Sequence, residues 1–221
     1  VENDIVYMKT VKGPLKVDCI YRRLDDNFLD PKVFNKESVI GVPGLFKSWR
    51  KGNVGIINAI GTGIADDKVV YTYVNKMIVY YLGEQPILNQ VETYLCHNKN
   101  ERHYVIENIS KLVVKPANAS GGYGIMIGPK ADKKERDDVI AKIKRNPREY
   151  IAQPLETLST APTITENDIE PRHLDLRPFV LSGKTTYVST GGLTRVALRK
   201  GSTIVNSSQG GGSKDTLIVD V

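Results

Sequence analysis

Lys111-Leu-Val-Val-Lys115-Pro-Ala-Asn-Ala-Ser120-Gly-Gly-Tyr-Gly124-Ile-Met-Ile-Gly128 decides how the rest of the chain is read. Leu112, Val113 and Val114 form a β-prone apolar run. Lys115 closes that strand, a glycine-rich turn follows, and a second strand begins. Gly121, Gly122 and Gly124 let the backbone turn tightly and approach a ligand. A loop of free N–H groups beside an ammonium group is one way of holding polyphosphate. A plain β-hairpin with a glycine turn and a surface lysine fits the same residues, so this stretch alone leaves both readings open.

Working outward, 221 residues suffice for one large domain or two small ones. A hydrophobic content of 40% and a charged content of 25% are those of a globular chain. No apolar run reaches the roughly 20 residues of a membrane helix, and the opening Val-Glu-Asn-Asp lacks the basic and apolar regions of a signal peptide. The net charge of +6 and a pI near 9.1 favour anionic partners. The basic residues are dispersed among acids, as in Lys130-Ala-Asp-Lys-Lys-Glu-Arg-Asp-Asp138, which reads as a solvated helix face and not a nucleic-acid patch. Cys19 and Cys96 lack metal-ligand spacing, which points to a reducing, cytoplasmic compartment.

Val1 to Lys12 reads as an edge hairpin or a tail. Leu15 to Leu24 reads as a strand whose period of two aligns Val17, Cys19, Tyr21, Arg23 and Asp25 on one face. Arg23 and Asp25 then form either a surface ion pair or a cleft pair, the arginine on phosphate and the aspartate on a metal ion. A short helix is expected around Leu45 to Arg50, with Trp49 as packing, and a strand at Val54 to Asn58. Val70, Val74, Met77, Ile78 and Tyr81 predict one amphipathic helix. Asp66 and Asp67 suit its start and Gly83 its end. Either aspartate only caps the helix, or one of them joins a metal site.

Tyr94 to Cys96 is a strand and Glu101 to Ser110 a helix. Asp132 to Arg145 is an amphipathic helix with Val139, Ile140 and Ile143 inward. A strand over Glu149 to Pro154 is followed by a Ser/Thr-rich loop from Thr157 to Asp168. Arg172 to Val180 is a strand that places His173, Asp175 and Arg177 on one face, either in solvent or in a charged cleft. Thr185 to Ser189 is a further strand, followed by Gly191-Gly-Leu-Thr-Arg195-Val-Ala. Leu217 to Val221 resumes a strand after the glycine-rich tail.

Taken together, the motifs resemble a known family. They run Tyr21-Arg-Arg23-Leu-Asp25-Asp26, Gly52-Asn-Val-Gly-Ile-Ile-Asn58, Gly61-Thr-Gly63-Ile-Ala-Asp-Asp-Lys68, Val113-Val-Lys115-Pro and Ser120-Gly-Gly-Tyr-Gly124. They continue with Ile151-Ala-Gln153-Pro, His173-Leu-Asp175-Leu-Arg177-Pro-Phe, Gly191-Gly-Leu-Thr-Arg195-Val-Ala and Asn206-Ser-Ser-Gln209-Gly-Gly-Gly-Ser-Lys214-Asp215. Nearly the whole chain resembles the bacterial circularly permuted ATP-grasp proteins, relatives of glutathionylspermidine synthase and eukaryotic glutathione synthetase.

The resemblance implies an α+β ATP-grasp fold, with two lobes of antiparallel sheet enclosing a nucleotide cleft. The portions expected are 1–110, with the metal and phosphate strands, and 111–221, with the phosphate loop, hinge and C-terminal strands. It implies ATP and Mg²⁺ as cofactors and an acid and an amine as substrates, joined through an acyl-phosphate. Neither nucleic acid nor membrane is an expected partner. Such proteins are about twice this length, so an N-terminal portion of the same protein is expected as a further partner.

The roles carry over residue by residue. Arg23, Arg177 and Arg195 are the implied catalytic cations. Lys115, Ser120, Gly121, Gly122, Tyr123, Gly124 and Gln153 are implied to hold ATP, Gln153 at the adenine. Asp25, Asn58 and Asp26 are the implied metal ligands. Ile56 and Ala119 stand where relatives carry a metal-binding glutamate, and Asp26, Asp67 or Asp175 would supply the missing charge. Those two replacements also motivate a second reading, a non-catalytic nucleotide-binding or scaffold domain.

Overall fold

A computed structural model describes residues 1–119, 122–165, 168–203, 205 and 210–217. Its backbone packs into two units, Val1–Ile87 and Leu88–Val221.

The first unit opens with a hairpin, β1 (Tyr7–Thr10) and β2 (Gly13–Lys16). β3 (Cys19–Tyr21) follows, then the short helices α1 (Asp26–Leu29) and α2 (Leu45–Arg50), then β4 (Gly55–Ile57). The strand expected over Leu15 to Leu24 is therefore interrupted after Lys16 and stops at Tyr21. β3 and β4 pair in parallel, Ile20 opposite Ile56, a departure from the all-antiparallel expectation. Val6, Leu29, Leu45, Val54 and Ile56 form the core, with Trp49 packed against it.

Asp30 is fully buried and fastens this unit. Its carboxylate accepts from the backbone N–H groups of Lys32, Gly44 and Phe46, which ties α1 to the start of α2. A buried carboxylate is tolerated when several donors satisfy it.

The helix predicted across Val70 to Tyr81 is broken into pieces. A 3₁₀ turn (Thr62–Asp66) precedes α3 (Lys68–Tyr71) and α4 (Val74–Met77), and a π turn (Ile78–Leu82) ends the run. The caps follow the sequence signals: Asp67 accepts from the Val69 N–H at 2.8 Å, and Gly83 takes the left-handed conformation. Only Val69 is buried in α3, and no residue of α4 or the π turn is. An apolar face holds a helix straight only where it packs, and here it does not.

In the second unit, β5 (Tyr94–Leu95), α5 (Lys99–Glu107), β6 (Leu112–Pro116), β7 (Met126–Ile127), α6 (Lys133–Arg145) and β8 (Tyr150–Pro154) build a four-stranded antiparallel sheet. Its order is β5-β8-β6-β7. Alternation puts Leu112, Val114 and Ala152 on one face, where they share a core with Val105 and Ile109 of the α5 segment and Val139 and Ile143 of α6. Asp132 caps α6 by accepting from the Glu135 N–H, and Ile140 packs at the edge of the core. This core spans the expected boundary after Ser110, and the two compact units divide near residue 88.

Gly128 is buried where β7 ends, and a Cβ there would lie 1.9 Å from the Ile109 carbonyl oxygen and 2.6 Å from that of Leu112. Backbone carbonyls cannot rotate away, so Gly128→Ala is expected to destabilise this unit by about 1–3 kcal/mol, measured by urea unfolding. A variant of unchanged midpoint would show that the approach is not tight.

The second sheet of this unit has the order β12-β11-β10-β9. It comprises β9 (Thr160–Ile164), β10 (Ile169–Ser182), β11 (Thr186–Ala197) and β12 (Gly211–Lys214). β9 lies in the stretch expected to be a loop. Its β-branched threonines suit a strand, and β10 supplies the antiparallel partner. The expected Thr185–Ser189 strand and the Gly191 segment are one continuous strand, β11, and the strand expected at Leu217 to Val221 lies largely outside the described residues.

Candidate functional site

The first unit holds a cavity of about 440 Å³. Its lining includes Arg22, Arg23, Asp25, Asp26, Asn58 and Asp66, so four residues named by the resemblance meet there. They meet for a different reason than strand alternation. Past Tyr21 the chain leaves β3, and Arg23 and Asp25 sit in the turn into α1. Both are exposed, and Asp25 takes the N-cap position of α1 without a side-chain cap bond.

The residue that organises this pocket is Arg22, which the sequence reading passed over in favour of Arg23. Its side chain is buried. Nε donates to the Asn58 carbonyl at 2.7 Å, and Nη2 to the Ala59 carbonyl and the Thr62 hydroxyl. Nη1 pairs with the Asp26 carboxylate. Asn58 returns the link, its Nδ2 donating to the Arg22 carbonyl at 2.9 Å. Asn58 adopts a left-handed backbone, which asparagine tolerates and which bends the chain around the guanidinium. The cue in the sequence is the doubled Arg22-Arg23 at a strand end, where an early stop of the strand exchanges which arginine turns inward.

Asp26 also accepts from the Gly61 N–H. With one oxygen on Arg22 and the other on Gly61, its carboxylate links the end of β3 to the loop before the 3₁₀ turn while also lining the pocket. Asp67 is the helix cap, and Asp66 lines the pocket. Ile56 packs its side chain in the core of the first unit and is not among the residues that line the pocket.

In the second unit, Lys115 and Gln153 share the sheet face opposite the helices. Lys115 Nζ donates to Gln153 Oε1 at 2.6 Å, and Gln153 Nε2 donates to the Thr93 hydroxyl at 2.8 Å. The Gln153 side chain, expected at adenine, bridges Lys115 and Thr93. The glycine loop spans β6 to β7 beyond Lys115. Gly122 and Gly124 have φ of 82° and 72°, which glycine adopts freely, and Tyr123 is exposed. Ser120 and Gly121 lie outside the described residues.

On β10 and β11, Arg177 donates twice to Asp175 Oδ2, at 3.0 and 3.2 Å, and Arg195 stands opposite Asp175 in the ladder. Among the described residues Asp175 Oδ1 is buried without a hydrogen-bond partner.

Neither thiol is in this machinery. Burial pushes the Cys96 thiol up to about 12, while Cys19 is exposed. Cys19 is expected to react rapidly with an aromatic disulfide reagent near neutral pH, and Cys96 only on unfolding. Two fast thiols would contradict this packing.

Residues 1–197 match the sequence model of the circularly permuted ATP-grasp type 2 family. The chain belongs to that family. This circularly permuted ATP-grasp chain is 54% identical over 220 residues to an uncharacterised protein of Synechocystis sp., covering 99% of the chain and 46% of that protein. It is 54% identical over 215 residues to an uncharacterised protein of Mycobacterium tuberculosis, 97% of the chain and 39% of the relative. A Frankia casuarinae protein named "Putative glutamate--cysteine ligase 2-2" is 46% identical over 217 residues, 98% of the chain but 25% of that protein. The chain thus spans about half or less of the length of the curated relatives it matches. The Frankia name describes a protein three-quarters of which lies outside the match.

The family implies a magnesium ion at the phosphates. The pocket donors are hard oxygens, Asp25, Asp66 and the Asn58 amide, which suit Mg²⁺. Among the described residues no three His, Cys, Asp or Glu side chains group as a metal site. That fits an ion held by one or two carboxylates together with phosphates and water, and not a closed protein cage. Among the described residues no helix is long and apolar enough to cross a membrane.

Proposed function

We propose that this chain is the ATP-binding part of an ATP-dependent carboxylate–amine ligase of the cytoplasm. In this reading the γ-phosphoryl group passes to a carboxylate oxygen of the acid and ADP leaves. The amine then attacks the acyl carbon, loses a proton, and expels inorganic phosphate that carries one oxygen from the acid. The observation that carries the reading is the Lys115 ammonium at the base of the glycine loop, clamped by Gln153 at 2.6 Å.

Charge gathers on the phosphoryl oxygens during transfer, so fixed cations stabilise it without a protein nucleophile. Lys115 holds the phosphates and the glycine loop closes over them. Arg23 in the first unit and Arg177 and Arg195 in the second are the cations that the resemblance assigns to phosphoryl transfer. Asp25, Asp66 and Asn58 would hold magnesium, which would supply positive charge to offset that of a phosphate. Arg22 carries no reacting group and keeps the pocket walls in place.

The name of the Frankia relative makes glutamate with cysteine the first pair to try. The resemblance to glutathionylspermidine synthase makes glutathione with spermidine the second. The full-length protein with Mg-ATP and a panel of acid–amine pairs is expected to release ADP only when both partners of one pair are present. The other reading, a nucleotide-binding scaffold motivated by Ile56 and Ala119, predicts that ATP binds and no pair releases ADP.

A further inference from the structure

Residues 68–82 read Lys-Val-Val-Tyr-Thr-Tyr-Val-Asn-Lys-Met-Ile-Val-Tyr-Tyr-Leu, apolar or aromatic almost all round. A helical run of that composition is normally buried on every side. Here Tyr80 is 81% exposed, Tyr81 76% and Leu82 64%, and Tyr73, Val74, Met77 and Val79 are exposed as well. Contiguous exposed aromatic and apolar surface marks an interface, and tyrosine and methionine are typical of interface cores. The polar residues, Lys68, Thr72, Asn75 and Lys76, are too few to solvate the run. A second patch behaves alike. On the ribbon of β10 and β11, the cross-strand pairs Val180–Val188 and Leu181–Tyr187 fall on opposite faces, and all four residues are more than half exposed. An isolated two-stranded ribbon is marginal in water and is rarely apolar on both faces unless covered.

We infer that the 68–82 run is a docking surface for a segment of the same polypeptide lying outside these 221 residues. The relatives supply the room: more than half of the Synechocystis protein and about three-fifths of the Mycobacterium protein lie beyond the match. The surface is nearly uncharged, so its occupant is an apolar or amphipathic segment and not a nucleic acid or an acidic peptide. Seating it extends the buried face of α3 and α4 and lets the broken helix act as a wall of the first unit. This inference stands apart from the ligase reading and fails independently of it.

The test is a photo-crosslinking amino acid at Tyr80 in the full-length protein, with peptides mapped by mass spectrometry. An intramolecular cross-link to a peptide outside residues 1–221 is the expected result. A cross-link to residues 88–221, a cross-link at dimer mass, or no cross-link overturns the inference. Hydrogen exchange in the same unmodified protein gives a second reading: amides of 74–82 are expected to exchange as slowly as those of α6, and exchange at loop rates contradicts the proposal.

Discussion

Replacing Lys115 by alanine lowers the affinity of the full-length protein for ATP about 10- to 100-fold. A hydrogen bond from a charged donor contributes about 1.5–3 kcal/mol, and each 1.4 kcal/mol is a factor of ten. The phosphate oxygens lose an ammonium that Gln153, itself fixed on Thr93, holds at the base of the glycine loop. Removing the lysine leaves the buried Gln153 Oε1 without that donor, so Lys115→Met, which keeps the bulk of the side chain, is the control for any loss of stability. Titration calorimetry, run well below the unfolding midpoint of the variant, reads the loss of ATP. Equal affinity in wild type and variant would remove Lys115 from the phosphate site.

Replacing Arg22 by alanine has a different signature, because its side chain is spent on the protein itself. The Asn58 and Ala59 carbonyls, the Thr62 hydroxyl and the Asp26 carboxylate all lose a donor at once. Breaking a buried ion pair from one side costs about 3–5 kcal/mol, and the partial exposure of Asp26 places this case at the lower end. Urea unfolding followed by Trp49 fluorescence is expected to show the loss in the first unit. Arg22→Lys is not expected to restore it, since one ammonium cannot reproduce the planar fork that reaches four partners. Full recovery by lysine would mean that charge alone, and not the geometry of the fork, holds the pocket.

What was legible in the sequence was local. The β6–β7 hairpin, α2, α5, α6 and their caps follow from apolar periodicity and from residues such as Asp132 and Gly83, whose chemistry acts within a turn of where they stand. The set Arg23, Asp25 and Asn58 was also legible as a group, and the pocket brings these residues together. What was not legible depends on partners distant in sequence. β3 ends at Tyr21 because the chain must pass Arg22 inward to Asn58 and Ala59, thirty-six and thirty-seven residues away, and no period of two encodes that. β9 exists because β10 lies beside it, although its residues look like a loop. Ile56 reads as a lost metal ligand in a motif and as a core residue in space. The 68–82 run has the periodicity of a packed helix without the packing, so pattern alone promised a straight helix where the chain forms three short turns.

The central claim is that the phosphoryl group of ATP is passed to a carboxylate. The most direct measurement uses the full-length protein with Mg-ATP, an acid labelled with ¹⁸O in its carboxylate (glutamate first) and an amine partner, and weighs the inorganic phosphate released. Transfer through an acyl-phosphate predicts one ¹⁸O in the phosphate for each amide formed. Phosphate that carries no ¹⁸O while amide accumulates, or ATP bound with no phosphate released under any pair, would contradict it.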